Sequence, residues 1–241
     1  MEFWLVPLDP ARPHLVDAAI AWHARLMVLA WAILLPLGVI LARFYKITPW
    51  QDWPAHRDNR FWWIGHLVLQ YTGGLAMLGG LAMLLAGPGL KGPGGHPHAM
   101  TGWLVLAFGA AQFLGGWLRG SRGGPGEPSL RGDHYDMTPR RILFERLHKS
   151  LGYVALALAI LAILTGLWLA NAPRWMPALL GLWWAFWLVL FIRMQRQGRA
   201  FDTYQAIWGP SPCHPGNART PIGWGIRRPG GEGREETRGS R

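Results

Sequence analysis

Five long hydrophobic stretches, separated by shorter polar segments, dominate the pattern of the chain. They cover residues 22–43, 61–86, 99–118, 147–170 and 175–193. Each is close to the roughly 20 residues that an α-helix needs to cross the hydrocarbon layer of a bilayer. The pattern therefore predicts an all-α membrane protein with five transmembrane helices, of which we expect the first four to form a four-helix bundle.

The composition supports a membrane protein. Of the 241 residues, 51% are hydrophobic and 15% are charged, whereas about 25% of the residues of a soluble domain are charged. Glu2 and Asp9 stand where a signal peptide would have a basic run, so we expect the first stretch to be retained as a helix. We expect an extracytoplasmic segment at 1–21, a membrane core at 22–193, and a basic, poorly ordered cytoplasmic tail at 194–241.

The distribution of Lys and Arg predicts the orientation of the helices. Four of these residues lie on the side of the N-terminus, whereas the other side has four in 43–60, seven in 119–149 and nine from Arg193 onward. Because basic loops stay in the cytoplasm, we expect the N-terminus outside and the C-terminus inside, in a bacterial inner membrane. Anionic lipid head groups are suitable partners for the net charge of +11, which therefore requires no nucleic acid.

Four histidines lie near the starts of the first four hydrophobic stretches: His23, His66, His98 and His148. Consecutive membrane helices are antiparallel, so His23 and His98 should meet near the outer surface, and His66 and His148 near the inner one. Two imidazoles that face each other across a four-helix bundle are what a six-coordinate haem requires. Histidine is also tolerated at a membrane interface, but the pairing of all four by side favours two haem sites.

Glycines follow the histidines at helical spacing. Gly102 is four residues after His98, Gly152 is four residues after His148, and Gly38 is fifteen residues after His23. Missing side chains on these faces would leave room for a flat macrocycle. The alternative is close packing of one helix against another through small residues, which is common in membranes.

Three further polar residues lie within or near the bilayer core. Gln70 and Gln112 could donate hydrogen bonds to a haem or its ligands, or they could bridge two helices. Arg25 is placed to meet a haem propionate near the outer surface, or to extend to the lipid head groups. Both interpretations of each residue stay open at this point.

The remaining histidines and the cysteine give weaker signals. His96 is the rival of His98 for the ligand position, and loops contain His14, His56 and His134, which we expect to be solvated at the surface. Cys213 stands beside His214, but there is no Cys-x-x-Cys-His motif, so covalent attachment of haem is excluded.

At these positions the sequence resembles the cytochrome b561 family, especially the members that are fused to DOMON domains in plants. The first stretch is similar to the family's pattern of a His followed by Trp at +8, Pro at +13, Gly at +15 and a closing Ala-Arg-Tyr, which here reads Ala-Arg-Phe-Tyr. The later stretches have His-x-x-x-Gln, His with Gly at +4 and Gln at +14, and His-x-x-Leu-Gly. The residues that carry the resemblance are His23, Trp31, Pro36, Gly38, Ala42, Arg43, His66, Gln70, His98, Gly102, Gln112, His148 and Gly152. Leu67, where the family often has Arg, and Arg25, where it has an apolar residue, depart from the pattern.

The resemblance implies two b-type haems, with His98 rather than His96 as a ligand. It also implies that electrons cross the membrane from a cytoplasmic donor, which is ascorbate in eukaryotic members, to monodehydroascorbate or ferric chelates outside. Arg43 and Lys46 occupy the positions at which the family binds ascorbate, while many bacterial relatives resemble quinol oxidases. Because the chain contains no DOMON domain, the resemblance implies a separate redox protein as an outer partner.

Three functions stay open. The leading hypothesis is an oxidoreductase that carries electrons across the membrane, from a small reductant such as ascorbate or quinol to an acceptor outside. The second is a haem-bearing anchor subunit that links the quinone pool to a soluble partner. The third is a haem-free structural or transport protein whose histidines line a path for protons or metal ions. A homodimer is compatible with each of them.

Overall fold

The computed structural model describes residues 2–14, 16–87, 95–125 and 131–229. Helices account for most of them. In chain order these are α1 (Glu2–Leu5), α2 (Ala18–Phe44), α3 (Phe61–Ala86), α4 (Pro97–Trp117), α5 (Asp133–Asp136), α6 (Pro139–Leu169), α7 (Trp175–Arg196) and α8 (Thr203–Trp208), followed by a 3₁₀ turn at Pro215–Ala218.

Five of these helices, α2, α3, α4, α6 and α7, are long and apolar enough to cross a membrane. The prediction of an all-α membrane protein with five candidate spans is therefore confirmed. The main difference is that α6 begins at Pro139, whereas the hydrophobic stretch predicted a start at 147. Its first turns are polar and are stabilised by ion pairs four residues apart, which a hydrophobic window does not detect.

The second half of α2 begins with a π-helical segment, Leu29–Leu34. The amide of Leu35 there bonds to the carbonyl of Ala30, five residues earlier. One extra residue in a turn changes which side chains face the neighbouring helices, and such bulges occur frequently at functional sites. Ala30, Trp31 and Ala32 are all buried.

The chain divides into two compact units. The first consists of Met1–Val39, Leu67–Ala111 and Gly152–Phe191. Its core comes from α2, α3, α4 and α6, with the side chains of Trp31, Leu35, Met77, Val105, Ala155, Ala159, Ala162 and Ile163 at the centre. Small residues on α6 let the helices approach closely, as is usual where lipid provides no hydrophobic drive.

The N-terminal segment of the first unit is attached to the turn between α6 and α7. Asn171, which has a positive φ of 48° and is almost fully buried, donates from its side chain to the carbonyls of Asp9 and Arg12. It also accepts a hydrogen bond from the amide of Asp9. These bonds satisfy main-chain N–H and C=O groups that would otherwise need hydrogen bonds from water.

The second unit consists of Ile40–His66, Gln112–Leu151 and Ile192–Arg241. Residues 194–229, which the sequence predicted to be part of a poorly ordered tail, are folded in the structure. Asp202 caps α8, and the main chain of Phe201 pairs with that of Arg227. Tyr204 and Ala206 are buried, so this segment has an apolar core that its average composition conceals. The rest of the predicted tail, 230–241, lies outside the described residues.

Candidate functional site

His23 and His98 form the first histidine pair, in the first unit. Their ring centroids are 6.1 Å apart and the ring planes are nearly perpendicular, at 84°. Nδ1 of His23 is 2.9 Å from the carbonyl oxygen of Gly80, and Nδ1 of His98 is 2.8 Å from that of Ala162. Because a carbonyl can only accept, each Nδ1 must carry the proton, which leaves the Nε2 lone pair of a neutral ring for a metal.

His66 and His148 form the second pair, in the second unit. Their ring centroids are 6.4 Å apart with an angle of 79° between the planes. Each ring also packs against an aromatic side chain about one turn earlier in its own helix. The ring centroids of Trp63 and His66 are 6.3 Å apart, and those of Phe144 and His148 are 5.0 Å apart. These aromatic rings limit the rotation of the imidazoles and exclude water from one side.

The spacing within both pairs fits one metal ion between two imidazoles. A metal–nitrogen bond of about 2 Å on each side, extended to the two ring centres, gives a separation of about 6 Å. Among the described residues no group of three or more His, Cys, Asp or Glu could hold a metal ion. Two imidazoles at this separation could complete the coordination of an iron that is held by the four nitrogens of a macrocycle.

The glycines near the first pair have different roles. A Cβ atom on Gly102 would meet no atom within 4 Å, so this residue leaves open space one turn from His98. A Cβ atom on Gly166 would lie 2.9 Å from Cε1 of His98, so this glycine allows the ring to approach α6. A Cβ atom on Gly109 would lie 3.3 Å from the ring of Trp31, so this glycine serves the packing of the two helices.

Gly38 and Gln70, both predicted to surround a haem, contact each other. A Cβ atom on Gly38 would collide with the side-chain amide of Gln70. That amide donates to the carbonyl of Leu35 at 3.2 Å, so Gln70 bridges α3 and α2. Gln112 and Gly152, which were predicted to have the same role, are half-buried on α4 and α6.

Arg25 and His96 are the two other residues that the sequence singled out near the first pair. Arg25 is exposed, and its guanidinium lies 5.3 Å from the ring of Trp22, an arrangement typical of a membrane interface. Nδ1 of His96 accepts a hydrogen bond from the amide of His98. His96 therefore supports the first turn of α4.

Arg43 and Lys46, which were predicted to bind an anionic substrate, are both buried against protein acceptors. Arg43 donates to the side chain of Gln195 at 2.8 Å and to the carbonyl of Trp224 at 2.7 Å. Lys46 donates to the carbonyl of Phe201 at 2.9 Å. Burial, reinforced by the nearby charge of Lys149, lowers the pKa of Lys46 to about 7.

A buried polar cluster precedes His148 and was missed in the sequence. Glu145 contacts Arg141 at 3.0 Å and Lys149 at 2.7 Å, and its carboxylate lies 3.9 Å from Nε2 of His134. The spacing of Arg141, Glu145 and Lys149, four residues apart, was the available signal for one more polar helical turn.

The prediction that His134 is solvated is wrong. Only 2% of the residue is exposed, and its ring packs against Tyr204 and Trp208. Burial, together with the nearby positive charge of Arg141, lowers the pKa of His134 to about 3. The residue is therefore a neutral part of the core of the second unit at neutral pH.

Comparison with known proteins gives two curated relatives, both from Arabidopsis thaliana. One is a cytochrome b561, DM13 and DOMON domain-containing protein, and the other is a cytochrome b561 and DOMON domain-containing protein. Each is 30% identical to this chain over 146 residues, which is 60% of the chain. The chain spans 14% of the first relative and 27% of the second. No family model and no solved structure matches it.

Proposed function

We propose that the chain carries electrons across a membrane through two b-type haems, because its histidine motifs resemble those of the cytochrome b561 family and both curated relatives are named as cytochrome b561 proteins. His23 and His98 would bind the iron of one haem, and His66 and His148 that of the other. The observation that supports this most strongly is the matching separation of the two pairs, 6.1 Å and 6.4 Å between ring centroids.

A bound haem supplies a centre that accepts and releases one electron at a time. The protein would contribute two imidazoles to each haem, so that no position on the iron would stay open for oxygen or a substrate. The carbonyls of Gly80 and Ala162 orient His23 and His98 and make their rings more basic. Such a site is suited to electron transfer rather than to ligand activation.

The charge distribution supports an orientation for the two histidine pairs. The basic loops and the C-terminal segment would lie in the cytoplasm, so His66 and His148 would hold the inner haem. In our proposal an ascorbate-like or quinol reductant supplies electrons there. His23 and His98 would hold the outer haem, from which a ferric chelate, a radical or a redox protein outside the membrane would be reduced.

The test is a spectrum of the purified protein, dithionite-reduced minus oxidised, combined with single alanine variants of the four histidines. We expect about two b-type haems per chain. His23→Ala and His98→Ala should each remove the same haem, and His66→Ala and His148→Ala the other. His56→Ala is the control, because the side chain of His56 is 81% exposed.

Two results would contradict the proposal in different ways. A well-folded protein that binds no haem would favour the structural or transport alternative. If His23→Ala and His66→Ala removed one common haem, the haem-binding function would stand but the assignment of ligands would be wrong.

A further inference from the structure

The folded C-terminal segment covers basic side chains of the second unit with its own main chain. We call residues 199–228 the C-terminal cap. Four cationic side chains from outside the cap donate to its carbonyl oxygens. These bonds join Arg43 to Trp224 at 2.7 Å, Lys46 to Phe201 at 2.9 Å, Lys149 to Ile222 at 2.7 Å and Arg57 to Trp208 at 3.0 Å.

The donors come from separate parts of the chain but meet one short segment. Arg43 lies in the last turn of α2, Lys46 follows that helix, and Lys149 is adjacent to His148 on α6. Arg43 is 7% exposed and Lys46 is 4% exposed. An anionic ligand bound here would need hydrogen bonds from these same groups, because charge-assisted bonds provide most of the binding free energy of a small anion.

The cap meets these donors with neutral acceptors. A carbonyl oxygen accepts a hydrogen bond but has no formal charge. Of the nearby carboxylates, Glu145 contacts Arg141 and Lys149, and Asp202 contacts Arg228. The side chains of Arg43 and Lys46 are therefore covered by the cap, and burial lowers the pKa of Lys46 to about 7, so that part of its charge is lost at neutral pH.

We propose that the C-terminal cap determines the choice of electron donor at the second histidine pair, by excluding small anionic reductants from Arg43 and Lys46. This inference rests on the proposed function, and it identifies small anions as the class of electron donor that the site excludes. An uncharged donor requires no bond to these cations, so the cap does not exclude it. This differs from the expectation, drawn from the family resemblance, that Arg43 and Lys46 bind ascorbate.

The local backbone shows how the cap can be opened. Trp224 lies between Gly223, with φ of 117°, and Gly225, with φ of 60°. Glycine adopts these angles readily, whereas the ring of proline fixes φ near −65°. The double variant Gly223→Pro/Gly225→Pro should therefore move the carbonyls of Ile222 and Trp224 away from Lys149 and Arg43. Because Phe201 pairs with Arg227, two residues after Gly225, the variant should also loosen the bond from Lys46 to the carbonyl of Phe201.

Thr220→Pro is the matched control. It introduces the same residue into the same loop, at an exposed position. The preceding residue, Arg219, already has the extended backbone that a following proline requires, with φ of −101° and ψ of 154°. This variant should leave the four bonds to the cap in place.

Two measurements on the full-length holoprotein test the proposal. The first is the rate at which an amine-acetylating reagent modifies Lys46, followed by mass spectrometry. The second is the ratio of the rates of haem reduction by ascorbate and by an uncharged water-soluble hydroquinone. In the ascorbate reaction, the monoanion gives one electron to the ferric haem and one proton to the solvent, and becomes the monodehydroascorbate radical.

In the double proline variant we expect the modification of Lys46 and the ratio of rates to rise by about tenfold or more, because exposed cations steer anions to a site. The gain in the ascorbate rate should decrease with salt. It should disappear when Arg43→Gln and Lys46→Gln are added to the opened variant. Thr220→Pro should behave as the parent chain does.

The proposal is overturned if ascorbate reduces the parent chain as fast as the opened variant, or if the gain survives the two Gln substitutions. Should the double variant fail to fold, the parent chain alone is decisive. Lys46 that reacts as fast in the native protein as in the denatured protein would show that nothing covers it. This last measurement requires no haem, so a failure of the proposed function would be seen separately in the spectrum.

Discussion

The indole N–H of Trp183 donates to the main-chain carbonyl of Ala32 at a distance of 2.7 Å. Ala32 lies four residues before Pro36, which has no amide hydrogen to offer this carbonyl. In a lipid environment water does not satisfy such a group, so a neighbouring helix has to provide the donor. The bond therefore joins α7 to α2 at the π-helical segment and explains how a proline is accommodated in the middle of a span.

The first prediction is that Trp183→Phe destabilises the protein. The substitution keeps an aromatic ring but removes the donor, and an unsatisfied carbonyl costs about 1–3 kcal/mol. The apparent melting temperature in detergent should fall, while both haem spectra are retained. Trp184→Phe, the same change at the next position of α7, is the control and should have the smaller effect.

A double-mutant cycle makes this prediction specific. Pro36→Ala restores an amide hydrogen to α2, so the loss of Trp183 should matter less in that background. Equal costs of Trp183→Phe with and without Pro36 would show that the indole stabilises α7 by packing alone.

The sequence predicted the helices and the histidine pairs because both depend on patterns that repeat along the chain. The length of a hydrophobic stretch predicts a membrane-spanning helix. Because consecutive helices run in opposite directions, His23 meets His98 and His66 meets His148. Their role as haem ligands stays a prediction. The bridge from Gln70 to Leu35 and the roles of the individual glycines depend on side-chain geometry, which spacing does not provide.

The cap was missed for a different reason. Residues 194–241 are basic and rich in Gly and Pro, and averaging over the segment conceals the few residues that form its core. Tyr204 and Ala206 are buried, and Trp208 packs on His134. The same averaging hid the polar start of α6, where Glu145 is buried between two cations. Both errors arise because hydrophobicity and composition were averaged over segments longer than the structural elements within them.

The second prediction concerns Gly102 and separates stability from haem content. Gly102→Leu meets no protein atom within 4 Å at its Cβ, so the fold should tolerate it. If a planar cofactor fills the space beside His98, the leucine side chain should displace it, and one of the two haems should be lost. The measurement is haem content per chain together with the melting temperature.

Gly181→Leu is the control for this variant. A Cβ atom on Gly181 would also meet no atom within 4 Å, but this residue lies on an exposed face of α7. The variant should retain both haems. Full haem content in Gly102→Leu would mean that the open space beside His98 is not the haem site.

The third prediction concerns Gly166. An alanine there would place Cβ 2.9 Å from Cε1 of His98 and 3.0 Å from its Nδ1, well inside normal contact. The ring should shift and weaken its bond to the carbonyl of Ala162. Because that bond tunes the basicity of the ligand, we expect the reduction potential of one haem to change while the other keeps its value. A redox titration followed at the α-band measures both, and two unchanged potentials would contradict the prediction.

The last prediction concerns the stability of the second unit in acid. Burial, with the positive charge of Arg141, lowers the pKa of His134 to about 3, from its ordinary value of 6.5. Between these values the folded protein binds fewer protons at this site than the unfolded chain, so stability is full above pH 6.5 and is lost progressively as the pH falls toward 3. The loss attributable to His134 is at most about 5 kcal/mol. Glu145 faces His134 at 3.9 Å and moderates the loss by favouring the protonated ring.

His134→Phe removes the titrating group and keeps a ring in the core, so its apparent melting temperature should fall less between pH 7 and pH 4.5 than that of the parent chain. His56→Phe, at an exposed position, should keep the parent's pH profile. Parallel profiles for the parent and His134→Phe would show that acid sensitivity arises elsewhere.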